Sequence, residues 1–145
     1  MRLLILNGPN LNLLGSREPE IYGRTTYAEL CRMLETYCAG KGIDCDIFQS
    51  NHEGVLVDRI QAAAGAYDAI VINAAAYTHT SIAIADALRA VSLPAAEVHL
   101  SDIDRREEYR RISYLRDACA GSFYGKGAAS YTDAIDFLFS KLQSL

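Results

Sequence analysis

The chain has 145 residues, half of them hydrophobic and 22% charged, with 14 basic against 18 acidic side chains and a formal net charge of −4. That length predicts one domain, 1–145, with room for a real core, and the acidic balance argues against nucleic-acid binding. The sequence has no apolar run of about 18 residues, so no membrane partner is expected.

The start MRLLILNGPN carries too short an apolar region for a signal peptide and reads as a first strand. Four cysteines (Cys31, Cys38, Cys45, Cys119) show no CxxC or zinc-like spacing, so reduced thiols are expected rather than a metal site. Together these features point to a cytoplasmic protein.

In chain order, RLLIL (2–6) is the first expected strand. The stretch NGPNLNLLGSREPEIYG (7–23) follows it, with neither helical nor strand periodicity; loops of this length are often functional. Thr26 to Glu29 reads as a capping box for a helix carrying Tyr27, Leu30, Cys31, Leu34 and Cys38 on one face, ended by Gly40 to Gly42. CDIFQ (45–49) is the second strand, and Ser50 to Glu53 reads as another capping box, before a helix with Leu56, Ile60 and Ala63 inward.

AIVIN (69–73) reads as a continuous buried strand, followed by AAYTHTS and a helix with Ile84, Ala87, Leu88 and Val91 inward. After Pro94, AAEVHL (95–100) is the fourth strand and RREEYRR (105–111) a basic helical turn. CAGSFYG (119–125) is a candidate fifth strand, and Ile135, Leu138, Phe139 and Leu142 mark a final helix.

Strands alternating with helices imply right-handed βαβ units. The expected fold is α/β: a flavodoxin-like, doubly wound, five-stranded parallel sheet with helices on both faces. Ligands in such sheets bind outside the carboxyl ends of the strands, near the topological switch point.

Those ends carry Asn10, Asn12, Arg17 and Tyr22 after the first strand; Asn73, Tyr77, Thr78 and His79 after the third; and His99, Ser101, Arg106 and Arg110 after the fourth. The loop after the second strand adds Asn51 and His52, which are expected to sit further from the switch point. Singly, each has a structural explanation: a loop histidine is often satisfied, and RREEYRR fits a solvated face with Glu–Arg pairs. Converging on one edge, they favour a site. A flavin-phosphate loop, an acidic phosphoacceptor pocket and a GxGxxG turn are all absent after the first strand.

LNGPNLNLLGSREPEIYG (6–23), FQSNHEG (48–54), NAAAYTHTS (73–81), EVHLSD (97–102) and REEYR (106–110) together resemble type II 3-dehydroquinate dehydratase, over nearly the whole chain. The resemblance implies a single catalytic domain that removes water from 3-dehydroquinate to give 3-dehydroshikimate without a cofactor. It also implies self-association as trimers grouped into a homododecamer. By position, Tyr22 resembles the family's base, Arg17 its activator, Asn10 the residue holding a water at the enolate, and His99 the general acid. Asn73, His79, Asp86, Leu100, Ser101 and Arg110 match substrate-binding positions; Glu97, Arg106 and Asn12 look like supporting residues. The chain departs from the family pattern at Asp102 and Asp104, where many members have Asn and His, and at Ala75, where Gly is frequent.

These residue types suit the chemistry. A tyrosine with a pKa of about 10 is little ionised near neutrality. A guanidinium beside it favours the phenolate, and a two-unit shift requires about 2.7 kcal/mol. Asn side chains can meet charge developing on a ketone oxygen, and histidine can protonate a departing hydroxyl. A flavodoxin-like binding module without catalysis is the competing reading.

Overall fold

In the computed structural model, which describes residues 1–16, 18–22 and 24–145 without the side chains of Pro19 and Tyr22, the five expected strands form one parallel sheet. They are β1 (Arg2–Asn7), β2 (Asp44–Gln49), β3 (Ala69–Asn73), β4 (Ala95–His99) and β5 (Gly121–Tyr124). Their order is β2-β1-β3-β4-β5, the flavodoxin-like order, so the switch point falls between β1 and β3.

Helices α1 (Pro19–Tyr22), α2 (Tyr27–Gly40), α3 (Glu53–Ala63), α4 (Ile82–Val91) and α5 (Ala129–Gln143) complete the regular structure. Alternating strand residues feed two cores, as a sheet covered on both faces requires. Leu3, Ile5, Val71 and Val98 pack under Leu30, Leu34 and Cys38 of α2 and Ile135 and Leu138 of α5. Leu4, Leu6, Ile70 and Ile72 pack under Leu56 and Ile60 of α3 and Ile84 and Leu88 of α4.

Thr26 caps α2 as expected: its hydroxyl oxygen accepts from the Glu29 amide at 3.1 Å, and the hydroxyl donates to Glu29 Oε1 at 3.0 Å. The expected box at Ser50 is different. Ser50 Oγ accepts from the His52 amide at 3.0 Å, a turn that closes the end of β2, and α3 starts at Glu53 with no side-chain cap from His52.

RREEYRR is also not one helical turn. Two short 3-10 turns, Ile103–Arg105 and Glu108–Arg110, flank an extended Arg106. Asp102 Oδ1 accepts from the Asp104 amide at 3.0 Å and so caps the first of these turns. All four cysteines are free; Cys38 is buried and the other three are half-buried. Burial pushes the Cys38 and Cys119 thiols up to about 12, which leaves them protonated near neutrality.

The carboxyl ends of β1 and β3 are polar although buried. Asn7 and Asn73 are partners in the sheet register, and the hydroxyl of fully buried Tyr131 on α5 bridges them. It donates to Asn7 Oδ1 at 2.6 Å and accepts from Asn73 Nδ2 at 2.9 Å. Asn73 Oδ1 accepts from the Ala75 amide at 3.1 Å. This bond helps hold Ala75 at φ 53°, a left-handed conformation that costs a non-glycine residue about 1–2 kcal/mol.

The chain leaves β1 through Gly8, whose amide donates to the Asn73 carbonyl at 2.7 Å. A Cβ at Gly8 would lie 2.4 Å from the Ala74 carbonyl oxygen, so only glycine lets the two strand ends meet. Gly8→Ala is expected to destabilise by about 3 kcal/mol or more, because backbone must separate at a buried junction. Urea unfolding checks this; a loss below about 1 kcal/mol would mean that the junction yields freely.

Candidate active site

The expected cleft lies at the switch point. It is lined by Pro9, Asn10 and Leu11 after β1, by Asn73, Ala75, Ala76 and His79 after β3, and by His99, Leu100, Ser101, Ile103, Arg106 and Arg110 from β4 onward. Counting its open mouth, the space is about 480 Å³.

His99, the last residue of β4, is almost fully buried. Behind it lies Glu97, a carboxylate with no exposed surface. His99 Nε2 stands 3.2 Å from Glu97 Oε2, out of line for a well-directed hydrogen bond. Thr78 Oγ1 donates to Oε2 at 2.6 Å, and the Ser113 hydroxyl also donates to Oε2; Ser122 Oγ donates to Oε1 at 2.9 Å. Arg116 Nε adds a cation 3.7 Å from Oε1.

Burial alone would raise the Glu97 pKa. The neighbouring His99, 3.2 Å away, together with the Ser113 and Thr78 hydroxyls, outweighs burial and holds the carboxyl down at about 2. Glu97 is therefore a fixed negative charge at working pH.

His79 ends the 3-10 turn Ala75–His79, and its ring lies stacked with that of His99, centroids 6.4 Å apart. Its Nδ1 donates to the Ile112 carbonyl at 2.7 Å. Burial, helped by the nearby charges of His99 and Arg110, lowers its pKa, although the Ile112 bond opposes this. Near neutral pH the ring is thus uncharged, with the proton on Nδ1 and Nε2 left as an acceptor.

Arg106 Nη1 donates to Ser101 Oγ at 3.4 Å, and Arg110 Nε lies 3.0 Å from Glu107 Oε2. Two arginines thus line a cleft in an acidic protein, local cations that an anionic ligand needs.

Asn10 adopts φ 69° and its amide donates to Asn51 Oδ1 at 3.0 Å. Asn12 Oδ1 accepts from Gln49 Nε2 at 3.3 Å and does not line the cleft. Asp86 is also elsewhere: on α4, its side chain is 70% exposed and lies 3.5 Å from Arg89. Arg17 lies outside the described residues. Tyr22 is described only as the last residue of α1. Its neighbour Ile21 lines a second depression with Ser101, Asp102, Arg105, Arg106 and Glu107, which shares Ser101 and Arg106 with the main cleft.

Asp102 and Asp104 have their own partners. Asp102 Oδ2 lies 3.4 Å from Arg105 Nε, and Asp104 Oδ2 accepts from the Tyr124 hydroxyl at 3.1 Å. Among the described residues no cluster of His, Cys, Asp and Glu is arranged to hold a metal ion, and no helix is long and apolar enough to cross a membrane.

A family model described as "Dehydroquinase class II" matches residues 1–139. The chain belongs to the class II dehydroquinase family. It is 51% identical to the 3-dehydroquinate dehydratase of Geotalea daltonii, over 99% of both chains. It is 53% identical to the catabolic 3-dehydroquinase of Verticillium alfalfae, over 94% of this chain and 91% of that one. The crystal structure of type II dehydroquinase from Butyrivibrio crossotus superposes with a TM-score of 0.94 at 48% identity, covering 95% of this chain and 97% of the other.

Of the residues at this site, the partners of Glu97 are the ones that the sequence does not reveal. Thr78 is visible only as a loop polar group and Ser122 only as part of a candidate strand, while Ser113 and Arg116 lie in a segment without periodicity or motif. The ring of donors implies a pH effect. The folded pKa of Glu97, about 2, lies below its ordinary 4.5, so its contribution is present above pH 4.5 and is lost as pH falls through that window toward 2. Urea unfolding between pH 7 and 3 should show stability falling more steeply in the wild type than in Glu97→Gln. Equal slopes would remove Glu97 as a source of acid sensitivity.

Proposed function

We propose that the protein is a type II 3-dehydroquinate dehydratase that eliminates water stepwise through an enolate, with an Arg-activated tyrosine as base and a histidine as general acid. The observation that carries this reading is the His99–Glu97 pair at the cleft wall. A buried, permanently ionised carboxylate is the counter-charge that an imidazolium donor needs.

In this mechanism Tyr22 removes the proton beside the substrate ketone, and the electron pair moves onto the ketone oxygen as an enolate. Arg17 favours the phenolate form of Tyr22 before the transfer. Asn10 holds a water against the enolate oxygen, a preorganised donor where charge develops. The enolate then collapses: a carbon–carbon double bond forms, the adjacent carbon–oxygen bond breaks, and His99 gives its proton to the departing hydroxyl, which leaves as water. The product is the conjugated enone 3-dehydroshikimate.

Asn73, neutral His79 and Arg110 bind the substrate's hydroxyls. The Leu100–Ser101 backbone takes its carboxylate, with Arg106 close enough to Ser101 to support that end. Ile21 lines the second depression, whose Ser101 and Arg106 also line the cleft, and this suits the neighbouring Tyr22 to a segment that closes over substrate and excludes water. We assign Asp86, exposed on α4, to substrate binding as well, and Asn12 and Glu97 to support. The enzyme acts as a single catalytic domain of a cytoplasmic protein, assembled as trimers in a homododecamer and using no cofactor. The basic cleft and the family both weigh against a noncatalytic binding module.

The purified protein with 3-dehydroquinate should give the ultraviolet absorbance of the enone. Tyr22→Phe is expected to lower kcat by about 10³-fold or more and His99→Ala by about 10²–10⁴-fold, with the fold intact by circular dichroism. Arg17→Ala should lower the rate and move the ascending, low-pH limb of the pH profile upward. Near-wild-type turnover of Tyr22→Phe would remove it from the base role, and no enone from folded wild type would favour the binding module.

A further inference from the structure

Asn10 is a demanding residue to place. It sits three residues beyond β1, at the entrance of a 3-10 turn, in a left-handed conformation with φ 69° and ψ −4°. No side-chain cap fixes that turn. What holds the residue comes from another part of the chain. The Asn10 amide donates to Oδ1 of Asn51, 41 residues away, at 3.0 Å.

Asn51 is itself held from two sides. Gln49 Nε2, at the end of β2, lies 3.1 Å from Asn51 Oδ1 and 3.1 Å from the Gly8 carbonyl. The Tyr77 hydroxyl, from the turn after β3, donates to the Asn51 carbonyl at 2.7 Å. The loops after β1, β2 and β3 therefore meet at one residue, Asn51, through its side chain and its backbone carbonyl. Asn51 is exposed and does not line the cleft, so neither core packing nor substrate contact accounts for the arrangement.

We propose that Asn51, supported by Gln49 and Tyr77, is a positioning residue for Asn10. By accepting the Asn10 amide it fixes the left-handed backbone from which the Asn10 side chain enters the cleft. A group serving the enolate must already be in place when charge develops, because reorientation at that moment would add to the barrier. Loss of Asn51 is then felt in the chemical step rather than in substrate binding. The inference rests on the dehydratase reading and on the role of Asn10 within it.

The test uses the full-length protein with 3-dehydroquinate, the wild type being assayed first. An inactive wild type overturns the dehydratase reading and this inference with it. Given an active wild type, Asn51→Leu should lower kcat by about three- to tenfold, the scale of one lost hydrogen bond, with KM changed by less than about threefold and Tm nearly unchanged. Asn51→Asp keeps the accepting oxygen and should recover most of kcat, whatever its added charge does to KM. Asn10→Ala and the Asn10→Ala/Asn51→Leu double variant should share the same kcat, since Asn51 acts only through Asn10. A wild-type kcat in Asn51→Leu, failure of Asn51→Asp to recover it, or additive losses in the double variant would each overturn the assignment. A fall in Tm that tracks the fall in kcat would also do so, by making Asn51 structural.

Discussion

A single carboxylate with no access to water organises this end of the molecule. Ionised Glu97 is stable in the interior only if several donors meet it, since a buried charge without partners costs several kcal/mol. Its donors come from different places: Thr78 from the turn after β3, Ser113 and Arg116 from the long connection after β4, and Ser122 from β5. Satisfying one charge therefore pins the irregular 100–120 segment against the sheet. The same segment then supplies the Ile112 carbonyl that fixes the His79 tautomer. The geometry of both histidines follows from meeting the demands of Glu97.

The opposite wall of the cleft obeys the same logic with neutral groups. Asn7 and Asn73 end their strands as amides where an apolar residue would continue the core, and the Tyr131 hydroxyl satisfies both. Such a network tolerates little change in register, because a one-residue slip would leave buried donors unpaired. The close approach of Gly8 to Ala74 adds a steric limit. The mouth of the cleft is thus held by directional bonds, while the apolar cores on the two faces of the sheet supply bulk stability.

These two kinds of force explain what could be read from sequence. AIVIN announces itself as an unbroken apolar run and Leu30/Leu34/Cys38 as a helical stripe, and from such elements the α/β architecture and the cleft at the strand ends follow. Thr26–Glu29 was legible as a cap because capping is local. Ser50–Glu53 has the same signature, yet Ser50 serves a turn at the end of β2, a choice made by the sheet rather than the tetrapeptide. RREEYRR is not one helix, because the chain turns extended at Arg106 between two short turns. The partners of Glu97 lie up to 25 residues away and carry no pattern at all. Asn51 seemed remote from the switch point, although it bonds directly to Asn10; distance between strands is no guide once loops fold back over the sheet edge.

The arrangement also bears on why acid and base would sit on different kinds of structure. A general acid that needs a counter-charge is best placed on a strand, since only a rigid and buried setting can keep a carboxylate such as Glu97 ionised beside it. A proposed base such as Tyr22, activated by a guanidinium, has the opposite requirement. It must reach a carbon-bound proton on a substrate that has first to enter, and it gains most from desolvation after entry. A segment at the rim, next to Ile21 and the shared Ser101–Arg106 edge, meets that need at the cost of a less fixed geometry. Asn10 falls between the two cases: it belongs to the loop by sequence, but the role proposed for it at the enolate would demand strand-like precision. The bond to Asn51 meets that demand by fastening this residue to the chain just beyond β2.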